Sequence, residues 1–150
     1  TSTNVLDYID DVDGVVAELR RVLKKGGRLC TVSCLWDHHR FHGADPALND
    51  RILHVFRNHC PHQMLPLELP TILLNNGFAG INSMPIPLLN MTMHNNAFAR
   101  WTSKLIAAFA IGNGISEDDV ALWLRQLEEA ERDGHFGFVS MSVLTTGVAI

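Results

Sequence analysis

Apolar residues recur every three or four positions over residues 11–25, which predicts an amphipathic helix. The stripe consists of Val12, Val15, Val16, Leu19, Val22 and Leu23. Aspartates crowd its start and Arg and Lys crowd its end, as the helix dipole favours. The following pair, Gly26 and Gly27, predicts a left-handed turn that stops the helix. Residues 28–35 then have the pattern of a short apolar strand.

The rest of the chain alternates between helical and extended patterns. Asp45 and Pro46 open a predicted helix that runs to Asn58, and a capping box at Ser116 opens another that runs to Asp133. The other predicted elements are a polar, His-rich loop at 36–45, a short helix at 67–76, an extended edge segment at 78–89 that contains Pro85 and Pro87, an apolar helix at 95–111, and a final strand or hairpin at 135–150. A helix leading straight into an apolar strand is half of a βαβ unit, so the pattern favours an α/β fold. Without repeats or linkers, residues 1–150 are expected to form a single domain.

Composition narrows the class of protein. The chain is 47% apolar and 19% charged, with a formal net charge of −4. Lys and Arg do not cluster on one segment, so the sequence gives no indication of nucleic-acid binding. No apolar stretch is long enough to cross a bilayer, and the N-terminus lacks the pattern of a secretory signal. An odd cysteine count (Cys30, Cys34 and Cys60) argues against a disulfide framework and favours small buried thiols. A cytoplasmic location without membrane or nucleic-acid partners is the expectation.

One long segment resembles a known family. The sequence NVLDYIDDVDGVVAELRRVLKKGGRLCTVSC, residues 4–34, is similar to the second half of a class I S-adenosylmethionine-dependent methyltransferase. The matching positions are Val5-Leu6, Tyr8-Ile9-Asp10, Glu18, Arg21-Val22-Leu23-Lys24 and Gly26-Gly27. Tyr8 stands where the family often has His, and Lys25 stands where it usually has Pro. Weaker similarity continues over 69–81 and 114–144. The resemblance implies an α/β fold, the C-terminal part of a Rossmann-like methyltransferase sheet with flanking helices.

The resemblance also implies that part of the family's machinery is missing from these residues. The family has a Gly-rich loop after its first strand and an acidic, ribose-binding residue after its second. Gly112-Asn113-Gly114 follows a predicted helix, which is the wrong context for such a loop. We therefore expect a partial methyltransferase domain that binds S-adenosylmethionine weakly or not at all and is inactive alone. Its open sheet edge predicts self-association or pairing with the missing N-terminal half.

The family resemblance implies which residues border the cofactor. Thr1, Ser2, Thr3 and Tyr8 match the family segment that passes the methionine end of S-adenosylmethionine. The Tyr8 ring would attract the positively charged sulfur, because a cation is stabilised over an aromatic face. The alternative is an ordinary loop between a strand and a helix.

The loop after the predicted strand at 28–35 is the candidate substrate border. Trp36 is the candidate substrate-binding residue, and Asp37, His38 and His39 are candidate catalytic bases. Methyl transfer is an in-line displacement that chiefly needs alignment and exclusion of water. A base is needed only if the acceptor atom carries a proton at neutral pH. The alternative for each of the four is a solvated polar loop.

Eight histidines raise the question of a metal. His38, His39 and His42 form H-H-x-x-H, and His59 and His62 flank Cys60-Pro61, but neither H-E-x-x-H nor paired C-x-x-C occurs. We therefore expect no metal site. The leading hypothesis is transfer of a methyl group from S-adenosylmethionine to a small-molecule acceptor. The alternatives are a non-catalytic binding or partner subunit derived from the methyltransferase fold and, third, a His-rich metal hydrolase.

Overall fold

The computed structural model describes all residues from Thr1 to Ile150 and has an α/β architecture. The strands are β1 (Ser2–Thr3), β2 (Arg28–Cys34), β3 (Arg40–His42), β4 (Phe78–Asn90) and β5 (Gly137–Ala149). The helices are α1 (Val12–Val22), α2 (Pro46–Phe56), α3 (Leu65–Asn75), α4 (Phe98–Gly112) and α5 (Glu117–Arg132). The sheet is mixed, with neighbours in the order β1-β2-β5-β3 and with β4 paired to β5. The predicted α/β class is confirmed.

The chain divides into two compact units. The first unit comprises residues 1–37, 60–87 and 141–150, and the second comprises residues 38–59 and 88–140. Each unit is therefore assembled from segments that are distant in sequence. The single domain expected from the sequence stays a prediction.

A parallel strand pair followed by an antiparallel strand forms the sheet of the first unit. Ser2 of β1 lies opposite Thr31 of β2 in parallel register. The antiparallel pairing of β2 with β5 runs from Arg28–Val148 to Cys34–Ser142. Helices α1 and α3 pack against this sheet and form a hydrophobic core with it. The buried residues of this core are Leu6, Val12, Val16, Leu29, Leu65, Leu69, Leu73, Phe78 and Ala149. Each such large side chain contributes about 1.5–3 kcal/mol by leaving water.

The double glycine does not stop α1, and this part of the sequence prediction is wrong. The helix ends at Val22, and Leu23 is already extended with ψ 133°. The Leu23 side chain packs against the core of the first unit. The glycines belong to the next turn, in which the Gly27 N–H donates to the Lys24 carbonyl (2.8 Å) and Gly26 has φ +81°. That geometry is a β-turn whose third residue requires positive φ, and it leads directly into β2.

The second unit is built around aromatic packing between its helices and a short strand pair. Phe41 of β3 packs edge-on against Trp123 of α5 (5.4 Å) and lies 4.5 Å from the Phe138 ring. Residues Arg40–His42 pair antiparallel with Gly137–Val139 of β5. The sequence pattern missed β3, because three residues are too few to show an alternation.

Most of the predicted elements are confirmed with small shifts. The Asp45 side chain accepts the Leu48 N–H (2.8 Å) and starts α2, and Ser116 accepts the Asp119 N–H (3.1 Å) and starts α5. The last element is one long strand, β5, rather than a hairpin. Strand β4 pairs only with β5, which agrees with the edge position predicted from Pro85 and Pro87. None of the helices is both long and apolar enough to cross a membrane.

Candidate functional site

The candidate site lies where β1 and β2 end. Because the two strands are parallel, their carboxyl ends meet at one edge of the sheet, the edge at which such sheets bind ligands. The chain forms a 3₁₀ turn at Leu6–Tyr8 after β1 and another at Trp36–His38 after β2. These turns bring the Tyr8 and Trp36 rings together edge-to-face, with centroids 6.4 Å apart. Two of the residues predicted to contact ligand are therefore neighbours.

Asp7 holds this edge of the first unit together, and sequence reasoning missed it. Its side chain is fully buried, and its Oδ1 accepts the backbone N–H of Cys34 at the end of β2 (3.0 Å). Its backbone carbonyl accepts the His62 N–H (3.4 Å). The second carboxyl oxygen, Oδ2, is buried with no hydrogen-bond partner. No local pattern distinguishes Asp7 from the other aspartates of this segment, because its burial depends on contacts with Cys34 and His62.

Asp7, Tyr8, Cys34 and Cys60 act on one another electrostatically. Burial raises the pKa of Tyr8, and the neighbouring Cys60, Asp7 and Cys34 raise it further. Burial, with Asp7 next in size, raises the pKa of Cys60 to about 11. Both groups are therefore neutral at physiological pH. The Cys60 thiol also accepts a hydrogen bond from the Gln63 amide (3.2 Å), and in its neutral form it is a poor nucleophile.

Tyr8 is the only tyrosine, so its ionisation can be read directly from tyrosinate absorbance in an alkaline titration. We expect the folded protein to titrate above the usual pKa of 10.0, because burial and nearby negative groups disfavour the phenolate. The Asp7→Asn substitution removes one of those charges and is expected to move the pKa of Tyr8 back towards 10.0.

The denatured protein serves as the control for this titration and should titrate at the usual pKa of 10.0. Since the folded pKa is raised, the contribution of Tyr8 to stability is complete below the unfolded pKa. It is lost as the pH rises through the folded pKa. A folded protein in which Tyr8 titrates at or below the denatured value would contradict the partial burial of Tyr8 and its acidic neighbours.

The other predicted site residues are spread over both units. Strand β1 of the first unit consists of Ser2 and Thr3, and Thr1 precedes it. Asp37 belongs to the same unit and is exposed. His38 is exposed in the second unit. His39 is 3% exposed there, with its Nε2 atom 3.3 Å from Ser140 Oγ and its ring edge-on to Phe138 (5.6 Å). Such packing stabilises the second unit, and the catalytic roles of His38, His39 and Asp37 stay predictions.

The remaining histidines and cysteines do not assemble a metal centre. No group of three or more His, Cys, Asp or Glu side chains is placed to hold a metal ion. His59 stacks on Phe56 with centroids 4.0 Å apart, and its Nδ1 lies 2.7 Å from the Phe56 carbonyl oxygen. None of the three cysteines forms a disulfide; Cys34 and Cys60 are buried and Cys30 is half-buried.

Residues 1–31 match the family described as methyltransferase domain. The resemblance seen in the sequence is therefore confirmed for the front of the chain, which includes β1, the Leu6–Tyr8 turn, α1 and the start of β2. No curated protein matches the sequence.

Three solved structures are similar over 98% of the chain. They are YcgJ of Bacillus subtilis (19% identity, TM-score 0.49), a phosphoethanolamine N-methyltransferase of Haemonchus contortus in complex with phosphomonomethylethanolamine and S-adenosylhomocysteine (14%, 0.46), and a putative methyltransferase of Bacillus halodurans (13%, 0.45). The chain spans 62% of the length of the two Bacillus proteins and 32% of the Haemonchus protein.

Proposed function

We propose that this chain forms part of an S-adenosylmethionine-dependent methyltransferase that acts on a small-molecule acceptor. The observation that carries the proposal is the contact between the Leu6–Tyr8 turn and the end of β2. The turn lies inside residues 1–31, the segment that matches a methyltransferase domain. Ligands of parallel sheets bind at that edge. The activity belongs to the complete enzyme, and the isolated 150 residues are expected to bind the cofactor weakly, since they contain no Gly-rich loop in the required context.

The residues at this edge suit a positively charged cofactor. The buried Asp7 carboxyl keeps one oxygen without a donor, and Tyr8, which is 47% exposed, presents an aromatic ring beside it. An aromatic face favours a nearby cation. S-adenosylmethionine supplies an electrophilic methyl group on a positively charged sulfur, and Thr1, Ser2, Thr3 and Tyr8 would hold its methionine end.

The side chains after β2 would serve the acceptor. Trp36 is 8% exposed and is fixed through its backbone N–H, which donates to the Gln63 carbonyl (2.9 Å). The Trp36 side chain, fixed in this way, would align the acceptor and exclude water, the two chief requirements of a displacement reaction. Asp37, the exposed side chain that follows Trp36 in the first unit, would take the proton of an acceptor that is protonated at neutral pH.

The test is a titration of the chain with S-adenosylhomocysteine, followed by amide and side-chain NMR so that weak binding is detected. We expect chemical-shift changes at residues 1–8 and at the Trp36 indole, with an affinity in the millimolar range. Tyr8→Phe keeps the ring and should keep these changes, whereas Tyr8→Leu should reduce them.

One result would count against the proposal: saturating ligand that leaves residues 1–8 and Trp36 unperturbed would remove the cofactor from this edge. Micromolar binding would support the cofactor site and contradict only the expected weakness of the isolated chain. The first result would favour the non-catalytic partner subunit instead. Large exposed apolar side chains along β4 support that alternative: Met84, Ile86, Leu88 and Leu89.

A further inference from the structure

We propose that the second unit contains a binding site for the oxyanion group, phosphate or carboxylate, of a small ligand. The site is an open cavity of about 450 Å³ lined by Arg40, Asp50, Leu53, His54 and Arg57. A volume of that size is within the usual range for small-molecule sites. The inference does not depend on methyl transfer, because anion binding can be measured without cofactor or acceptor.

The helical period of α2 places the lining residues on one face. Asp50, Leu53 and His54 lie at the i, i+3 and i+4 positions of α2, and Arg57 follows at i+7 just beyond its end. Arg40 reaches the same cavity from β3. Two separate elements therefore present cationic or hydrogen-bond-donating side chains to one space.

Arg40 is held in place but retains most of its hydrogen-bonding capacity. Its Nη1 donates to Asp50 Oδ1 at 2.8 Å, which is the one hydrogen bond the guanidinium makes. A guanidinium carries five N–H donors in a planar fork that matches carboxylate and phosphate oxygens. The remaining donors of Arg40 are therefore available to an oxyanion, and the exposed His54 ring can supply another.

The carboxyl end of α2 disfavours a bound anion, so the charges of the side chains that line the cavity decide whether an anion binds. A helix carries roughly half a negative charge at this end, and Arg57, the residue that caps α2, partly serves to offset it. Arg40 belongs to a different element and adds a further positive charge, while Asp50 is the single carboxylate in the lining. The side chains of the cavity therefore favour an anion.

A second cavity on the same unit provides an internal comparison. It also has a volume of about 450 Å³, and Arg51 of α2 lies in its lining in an ion pair with Asp119 (2.6 Å). Two carboxylates, Asp45 and Asp119, face that cavity together with a single arginine. Cavities of equal size on one helix thus carry opposite charge balances, and only the Arg40 cavity suits an oxyanion.

The experiment titrates the chain with inorganic phosphate and with acetate at constant ionic strength, with sodium chloride as the reference salt, because exposed charges are screened. We expect NMR shift changes at Arg40, His54 and the neighbouring α2 amides that chloride does not produce. Tighter binding of phosphate would favour a phosphate group on the ligand, and binding of acetate at least as tight would favour a carboxylate.

Three variants make the test specific. Arg40→Gln and His54→Gln are each expected to weaken binding by roughly fivefold to tenfold. Arg51→Gln changes the net charge as Arg40→Gln does, but it is expected to leave the affinity unchanged. Equal losses of affinity in Arg40→Gln and Arg51→Gln would show that only the net charge of the protein matters and would overturn the site. NMR shift changes with phosphate and acetate that are no larger than those with chloride would overturn it as well.

Discussion

Trp123→Ala is expected to lower the free energy of unfolding by about 3–5 kcal/mol. The Trp123 side chain is 0% exposed and packs edge-on against Phe41 (5.4 Å). Its Nε1–H donates to Asn49 Oδ1 (3.0 Å), and Asn49, itself buried, extends its amide towards the Phe41 carbonyl (3.3 Å). Truncation leaves a large cavity and also deprives a buried acceptor of its donor, and the two losses act in the same direction.

Two further variants separate these losses in denaturant unfolding experiments. Trp123→Phe retains most of the apolar volume but not the N–H, so it should cost about 1–3 kcal/mol for the unpaired Asn49 oxygen. Trp101→Ala makes the same truncation at a side chain that is 58% exposed, and its effect should stay within about 0.5 kcal/mol. If Trp123→Ala unfolds at the same denaturant concentration as Trp101→Ala, Trp123 does not anchor the second unit.

Elements with strong local signals could be predicted from the sequence. Asp45 followed by Pro46 combines a capping side chain with a residue preorganised for the first turn, and α2 begins at Pro46. Ser116 caps α5 in the same way. The short strand β3 could not be predicted, because Arg40–His42 becomes a strand only by pairing with Gly137–Val139, which lies far away in the sequence.

The candidate site shows the same division between local and distant causes. The sequence could mark Tyr8 and Trp36 as residues that border a ligand, but it could not predict that their rings meet. It could not mark Asp7, because the burial of Asp7 depends on contacts with Cys34 and His62 that no local pattern encodes. His38 and His39 are adjacent in sequence, yet only His39 is buried, and its ring meets Phe138 of the distant β5. Sequence reasoning could give both the same role but could not distinguish their surroundings.

Gly26→Val and Gly27→Val are each expected to lower the free energy of unfolding by about 1–3 kcal/mol, for different reasons. Gly26 has φ +81° with open space around the position that a Cβ would occupy, so its cost is the backbone conformation that a β-branched residue resists. At Gly27 the cost is steric, because a Cβ would lie 2.8 Å from the Lys24 carbonyl oxygen and 3.2 Å from Leu23 Cδ2. That carbonyl cannot withdraw freely, since it accepts the hydrogen bond that closes the turn.

Lys25→Pro is the matched control for the two valine variants. Lys25 is exposed at the second position of the turn, where proline is favoured when the next residue has positive φ. Its effect should therefore be close to neutral. Gly26→Asn should cost less than Gly26→Val, because asparagine tolerates the left-handed conformation. Melting curves for the four variants test this order.

The damage from the valine variants should also reach the candidate site. The Gly26 N–H donates to the Ala149 carbonyl (2.8 Å) and the Ala149 N–H donates to the Gly27 carbonyl (2.9 Å), so this turn sets where β2 begins against β5. The far end of β2 carries the Cys34 N–H that binds Asp7. A displaced turn should therefore lower the raised pKa of Tyr8 towards its usual 10.0, while Lys25→Pro leaves it unchanged. Valine variants that melt like the wild-type protein would show that the turn does not constrain β2. An unchanged Tyr8 pKa in a destabilised variant would show that the turn does not influence the candidate site.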